Sequence, residues 1–210
     1  MIKTILCLSD THGRHRLLPE LPEADVVIHC GDFTDLGTEK EALDFLEWFC
    51  DLPHRHKIFT LGNHDTCLYG ANIDGLDKNV HFLCNSGVEL DGIKFYGVPF
   101  YIEGFESKFA ENIPAGTDIL ITHQPPYGIL DKAYESDYGD VWFGSESLLA
   151  RVAEVAPKFC FFGHVHPMYG ILSQNGTTFV NSALMKENGN LNTPIVLDSL
   201  VSREKISDIV

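Results

Sequence analysis

Apolar residues recur along this chain with two periods, and the switches between them outline a fold. Ile2–Ser9 alternates and carries β-branched side chains, which predicts a strand, and Ala24–Cys30 predicts a second. From Glu39 to Asp51 the period becomes helical, with Ala42, Leu46, Phe49 and Cys50 on one face. Thr38, followed three residues later by Glu41, has the form of a capping box that starts this helix. Lys57–Leu61 returns to the strand pattern. Strand, turn and helix thus alternate through the first third, which suggests parallel βαβ units.

The remainder reads differently. Val88–Leu90 and Ile93–Val98 flank Asp91-Gly92, a tight hairpin signal. Asp118–Thr122 and Lys158–Phe162 predict strands, and between them Glu146–Val155 predicts a helix capped by Ser145 and closed by Pro157. A second hairpin turns at Asn175-Gly176 and returns along Thr177–Asn181, and a last strand covers Pro194–Asp198. Tyr127–Gly144 shows no clear period and is expected to be a long loop, of the kind that flanks substrate sites. With no repeats, linkers or low-complexity stretches, residues 1–210 are expected to form a single domain.

Composition narrows the function. At 44% hydrophobic and 21% charged residues, an ordinary globular fold is expected rather than disorder. The formal net charge of -15 argues against long nucleic acid and anionic membrane as partners, since few cations are present to replace counterions. An anionic substrate would need local positive charge, and bound metal ions are one source. Six cysteines are spread without a C-x-x-C pair, and Cys7, Cys30 and Cys160 lie in apolar runs, so no disulfide framework is expected. The first apolar run is short and leads straight into a polar motif, and no segment reaches membrane-spanning length; a cytoplasmic protein is expected.

Five donor-rich motifs then stand out, each after a predicted strand: Asp10-Thr11-His12, Gly31-Asp32-Phe33-Thr34-Asp35, Gly62-Asn63-His64-Asp65, Thr122-His123 and Gly163-His164-Val165-His166. Strand ends are where open sheets bind ligands. Asp10 and His12, two residues apart, can point to one side and chelate one ion, and His164 with His166 repeats the arrangement. Asp32 is placed to bridge two ions; Asn63 adds an amide oxygen and His123 another imidazole. Nitrogen and oxygen donors without sulfur favour Mn, Fe or Zn over Mg or Ca. Two such ions, roughly 3.5–4 Å apart, lower the pKa of a bridging water and clamp both attacking and leaving oxygens. His64 is left over as a general acid, and Asp35 is expected to orient and charge its imidazole.

Each motif alone is a common turn; five in this order are not. Of the other histidines, His29 is expected in the interior, His54 and His56 in solvent, and His15 and His81 have no partner pattern. Phe159, Phe161 and Phe162 read as core, and Glu39, Glu41, Asp44 and Glu47 as a wet helix face.

The five blocks resemble those of the calcineurin-like metallophosphoesterase superfamily, whose pattern is D-x-H, G-D-x-x-D, G-N-H-[DE], a lone H and G-H-x-H. Thr122-His123-Gln124-Pro125-Pro126, Phe95-Tyr96-Gly97-Val98-Pro99 and the run from Asn192 to Leu197 are similar to its small metallophosphoesterase-domain-containing branch, itself similar to class III cyclic-nucleotide phosphodiesterases. Gln124 stands where that branch has Gly. The resemblance implies an α/β (α+β) fold, a four-layer αββα sandwich of two mixed β-sheets flanked by helices. It implies that Asp10, His12 and His166 hold a first metal, that Asn63, His123 and His164 hold a second, and that Asp32 bridges them, with His64 and Asp35 assisting the leaving group.

The activity implied is a phosphodiesterase with a dinuclear centre and a bridging hydroxide. It would use two divalent or trivalent ions (Mn expected, Fe or Zn as alternatives) and act on a small phosphoester. Two departures disfavour a protein phosphatase: the second block continues Asp35-Leu36-Gly37 without an Arg, and the third ends in Asp65 rather than Glu. A phosphodiester carries one charge fewer than a monoester and needs less cationic help. A phosphomonoesterase on the same scaffold and a non-catalytic metal-binding interaction protein are the alternatives; the intact ligand positions speak against the latter.

Overall fold

The computed structural model describes residues 1–100 and 106–198. One sheet holds β1 (Thr4–Leu8), β2 (Val26–His29), β3 (His56–Phe59), β4 (Val80–Phe82) and β13 (Ile195–Asp198), in the order β13-β1-β2-β3-β4. Strands β1 to β4 are parallel and β13 closes the edge antiparallel. Leu8 pairs with His29 and His29 with Phe59, so three strands end level and three motifs emerge side by side.

The second sheet holds β5 (Ser86–Leu90), β6 (Ile93–Val98), β7 (Ile119–Thr122), β10 (Phe159–Phe162), β11 (Gly170–Gln174) and β12 (Thr177–Asn181), in the order β11-β12-β10-β7-β6-β5. Its four central strands are parallel, and a hairpin folds back at each edge. Three helices are described: α1 (Glu39–Asp51), α2 (Glu106–Glu111) and α3 (Glu146–Val155).

Strand alternation assigns the layers. Ile5 and Cys7 of β1, Val26 and Ile28 of β2 and Ile58 of β3 face the other sheet, where Phe95, Ile119, Ile121, Phe159, Phe161 and Val180 meet them. Leu6, Leu8, Val27 and Phe59 face outward onto Ala42, Phe45 and Phe49 of α1. On the far side Leu120, Cys160, Phe162 and Phe179 pack against Leu148 and Val152 of α3. The result is the αββα sandwich that the family resemblance implied.

Helix α1 starts at the expected capping box and keeps its expected bounds. Its buried face is centred on Phe45, which sequence periodicity passed over, while Leu46 and Cys50 lie at its margins. Phe45 stacks on Phe33, with ring centroids 4.0 Å apart and planes at 10°. The helix core thereby grips the second motif.

Several expectations need correction. Residues 127–144 are not a structureless loop: β8 (Lys132–Glu135) and β9 (Gly139–Trp142) form an antiparallel ribbon within them. Its strands are mostly exposed, so no apolar stripe marked it. Strand β4 is three residues long, too short to set a period, and α2 was likewise unforeseen. His54 is buried and bonds to the Pro22 carbonyl; the ring nitrogens of His56 are buried too. His15 is buried, with its Nε2 3.0 Å from the Asp44 carboxylate, so Asp44 is not simply a solvated helix charge. Cys7 and Cys30 touch at 3.7 Å as free thiols. Among the described residues no helix is long and apolar enough to cross a membrane.

Candidate metal centre

All five motifs converge at the carboxyl ends of β1, β2, β3, β7 and β10, where the two sheets meet. Their loops are stitched to one another by main-chain bonds. The amides of Asp10, His12 and Gly13 donate to the carbonyls of Gly31, Asp32 and Phe33, and the amide of Gly163 donates to His123. Interior His29 braces the first loop. Gly31 N–H donates to its Nδ1, which leaves Nε2–H to donate to Thr11 Oγ1 at 3.1 Å. Burial keeps this imidazole neutral, with a pKa pushed down to about 3.

Two glycines allow the close approach. A Cβ on Gly62 would lie 2.1 Å from Asp32 Oδ1, and one on Gly163 would lie 2.0 Å from Asp10 Oδ2. No larger residue fits at either place while the carboxylates stay put. Strain is concentrated here as well. Asp10, His12, Asp32 and His164 all have left-handed backbones, with φ of 53°, 42°, 54° and 69°. That conformation costs a side-chain-bearing residue on the order of 1 kcal/mol or more.

Asp10, His12 and His166 form one group of mutually close donors, and Asp32, His123 and His164 form another. His12 Nε2 lies 3.4 Å from His166 Nε2 and 3.9 Å from Asp32 Oδ2, and His166 Nε2 lies 3.3 Å from Asp10 Oδ1. Asn63 joins the second group, its Oδ1 3.0 Å from His123 Nε2, which is also 3.3 Å from Asp32 Oδ2. The seven side chains singled out as ligands are therefore neighbours in space.

A side chain that sequence reasoning left without a role, Asp65, holds the third motif against the second. Its carboxylate accepts from the amides of Gly62, Asp32 and Thr34 and lies 2.9 Å from the Thr34 hydroxyl oxygen. Phe100 and Phe143 wall the site, their rings 5.0 Å and 6.0 Å from that of His164. Gln124 donates to the Phe143 carbonyl and so ties the ribbon's base to the His123 loop.

The expected pairing of Asp35 with His64 takes a different form. His64 Nδ1 donates at 2.7 Å to the main-chain carbonyl of Asp35, not to its carboxylate. The carboxylate is 61% exposed and lies 3.9 Å from His12 Nδ1. It still lies near both imidazoles: His12, Asp35 and His64 form a third group of mutually close donors.

A profile described as calcineurin-like phosphoesterase matches residues 3–168 of this sequence. The chain belongs to that family. It is 36% identical over 208 residues to UPF0046 protein C25E10.12 of Caenorhabditis elegans, a match covering 85% of this chain and 74% of that protein. It is 34% identical over 231 residues to metallophosphoesterase domain-containing protein 1 of Homo sapiens, covering 92% and 70%. In structure it is similar to TT1561 of Thermus thermophilus, with a TM-score of 0.61 over 88% of this chain and 92% of that one at 14% identity, a likeness of fold. Membership of the calcineurin-like phosphoesterases implies metal-dependent phosphoester hydrolysis.

The donors present fit divalent metal. Burial would push the Asp10 carboxyl up, but the His166 hydrogen bond and the His123 charge outweigh it and hold it well below the carboxylate range. Asp32 is likewise held ionised against its burial, chiefly by His123. Burial lowers His12, and lowers His164 to about 4 with help from His123, so both imidazoles keep a free lone pair. His123 is pushed the other way, up to about 9, because Asp32 and Asp10 outweigh its burial. Against its burial His166 is raised as well, by its hydrogen bond to Asp10 and the Asp10 charge, so the two carboxylates favour the charged form of both imidazoles. The Nδ1–H of His123 donates to the Cys30 carbonyl at 2.9 Å, which aims Nε2 at the cage, the usual way an outer partner fixes a metal-binding imidazole.

Proposed function

We propose that this calcineurin-like phosphoesterase is a phosphodiesterase that works with two divalent metal ions, manganese foremost. The observation that carries this reading is the convergence of Asp10, His12, Asp32, Asn63, His123, His164 and His166 into two adjoining groups, with His64 beside them at the rim. Asp10, His12 and His166 would hold one ion, Asn63, His123 and His164 the other, and Asp32 both. When bound, such a pair supplies an activated water and neutralises the phosphoryl oxygens. The chain supplies the rest. His64, with Nδ1–H committed to the Asp35 carbonyl, faces the departing oxygen with Nε2; in the doubly protonated ring it gives that oxygen the Nε2 proton and is left as the neutral imidazole with hydrogen on Nδ1.

Charge supports a diester over a monoester. Each arginine among the described residues is engaged elsewhere: Arg14 with Gly189, Arg16 with Asp44 and Glu47, Arg55 with Asp91, and Arg151 with Ile113 and Glu154. No guanidinium fork is therefore at hand to grip a dianion. An open cavity of about 410 Å³ beside His166, lined by Tyr169, Lys186, Asn188 and Asn192, gives room for the second ester arm. The test compares rates on bis(p-nitrophenyl) phosphate and p-nitrophenyl phosphate with added manganese. A preference for the diester supports the reading; a preference for the monoester sinks it.

A further inference from the structure

We propose that Glu41 is a positioning residue for His64, acting through the Asp35–Leu36 peptide. The proposal rests on the reading of His64 as the proton donor. A capping box asks little of its acidic residue: one carboxylate oxygen returns to the N-cap amide. Glu41 does this, accepting from Thr38 N–H at 3.0 Å and from the Thr38 hydroxyl at 2.7 Å. It also reaches past the helix. Its Oε1 accepts from the amides of Asp35 at 3.2 Å and Leu36 at 3.1 Å, and its Oε2 from Leu36 at 3.2 Å.

The Leu36 amide matters because it belongs to the same peptide unit as the Asp35 carbonyl. That unit is planar and trans, so its N–H and C=O point in opposite directions. Glu41 holds one end, and His64 Nδ1 donates to the other. A carboxylate bound to the N–H fixes where the carbonyl aims. It also polarises the unit, making the carbonyl oxygen a stronger acceptor. Glu41 therefore does through a peptide what a carboxylate beside a histidine does directly. It selects the tautomer with hydrogen on Nδ1 and steadies the ring. The other side of the loop is fixed as well, since the Thr34 hydroxyl donates to the His64 carbonyl. Helix α1 and the catalytic imidazole are thus one connected unit.

The deciding measurement needs no metal and no turnover. Long-range proton–nitrogen correlation spectra of the metal-free protein, with the His64 signals assigned from a His64→Gln variant, report which ring nitrogen carries hydrogen. The wild type is expected to show His64 protonated at Nδ1. Glu41→Ala is expected to show a mixture of tautomers, and Glu41→Gln, which keeps one acceptor oxygen, an intermediate pattern. Thr38→Ala is expected to weaken the helix start yet leave the tautomer as in wild type, which separates capping from positioning.

With manganese added, Glu41→Ala is expected to lower kcat about tenfold or more on a diester with an alkoxide leaving group, against the full loss of a general acid of roughly 10²–10⁴. On a p-nitrophenolate leaving group, which departs without a proton, the loss should stay within about threefold, with KM and metal content unchanged. An unchanged tautomer in Glu41→Ala, or equal losses on both leaving groups, overturns the proposal. If the wild type hydrolyses neither diester, the phosphodiesterase reading fails, and the spectra still decide whether Glu41 sets the His64 tautomer.

Discussion

Gly163→Ala isolates the question of whether the donors form a cage. Gly163 has no left-handed backbone, so the added methyl acts through space alone. Its carbon would lie 2.0 Å from Asp10 Oδ2 and 2.1 Å from Ser9 Oγ. Bringing the carboxylate contact to 3.0 Å, below which real Cβ contacts are essentially never found, requires Asp10 to retreat by about 1 Å. Metal–ligand distances tolerate only about 0.2 Å, so Asp10 leaves the first group. Loss of a mere outer partner costs about 10–100-fold in affinity, and displacing a ligand should reach at least the upper end, about 2.7 kcal/mol. Overpacking should also take about 1–3 kcal/mol from the stability of the metal-free protein. Calorimetric titration with manganese, beside urea unfolding of the metal-free form, measures both. A folded variant that binds two ions with affinity within twofold of wild type would refute the assignment of Asp10 as a ligand.

His64→Ala should lower kcat on a poor leaving group by about 10²–10⁴ while metal content stays near that of wild type; loss of metal would mean that His64 is a ligand instead. Removing metal with a chelator should lower Tm, and manganese at about 100 times its Kd should restore about 2.7 kcal/mol, or roughly 5–10 °C, in a thermal melt. Phe45→Ala should cost about 3–5 kcal/mol in urea unfolding, since Phe45 is fully buried among Phe33, Phe49 and Phe59; a loss below about 1 kcal/mol would contradict this packing. Burial would raise the Glu41 carboxyl, but bonds from Thr38, Leu36 and Asp35 prevail and hold it at about 2. Because the folded value lies below the ordinary 4.5, Glu41 contributes stability above that pH and loses it as pH falls from 4.5 towards 2. Glu41→Gln should flatten this part of the acid unfolding curve.

The sequence carried the clustered donors plainly because motif and strand end coincide. A strand with both faces buried is a continuous apolar run, so its last residue is easy to place and the donors follow at once. What lay hidden depended on partners distant in sequence. His15 had no visible pattern because Asp44 meets it from 29 residues away. Asp65 looked like the tail of a turn until its carboxylate was seen to collect the Asp32 and Thr34 amides. The Asp35 carbonyl that takes the His64 Nδ1–H could not be foreseen, since sequence names side chains and is silent about carbonyls. The ribbon at 132–142 escaped because an exposed two-stranded element needs no apolar alternation.

The left-handed backbones at Asp10, His12, Asp32 and His164 carry an evolutionary consequence. Glycine adopts that conformation without penalty; the Asp10 and Asp32 carboxylates hold the His164 and His64 amides, but at His12 and His164 the folded chain by itself would be more robust with its chemistry erased. A library of variants selected only for heat resistance in the presence of a chelator should drift towards glycine there and go inert. Only selection for turnover keeps the awkward residues in place.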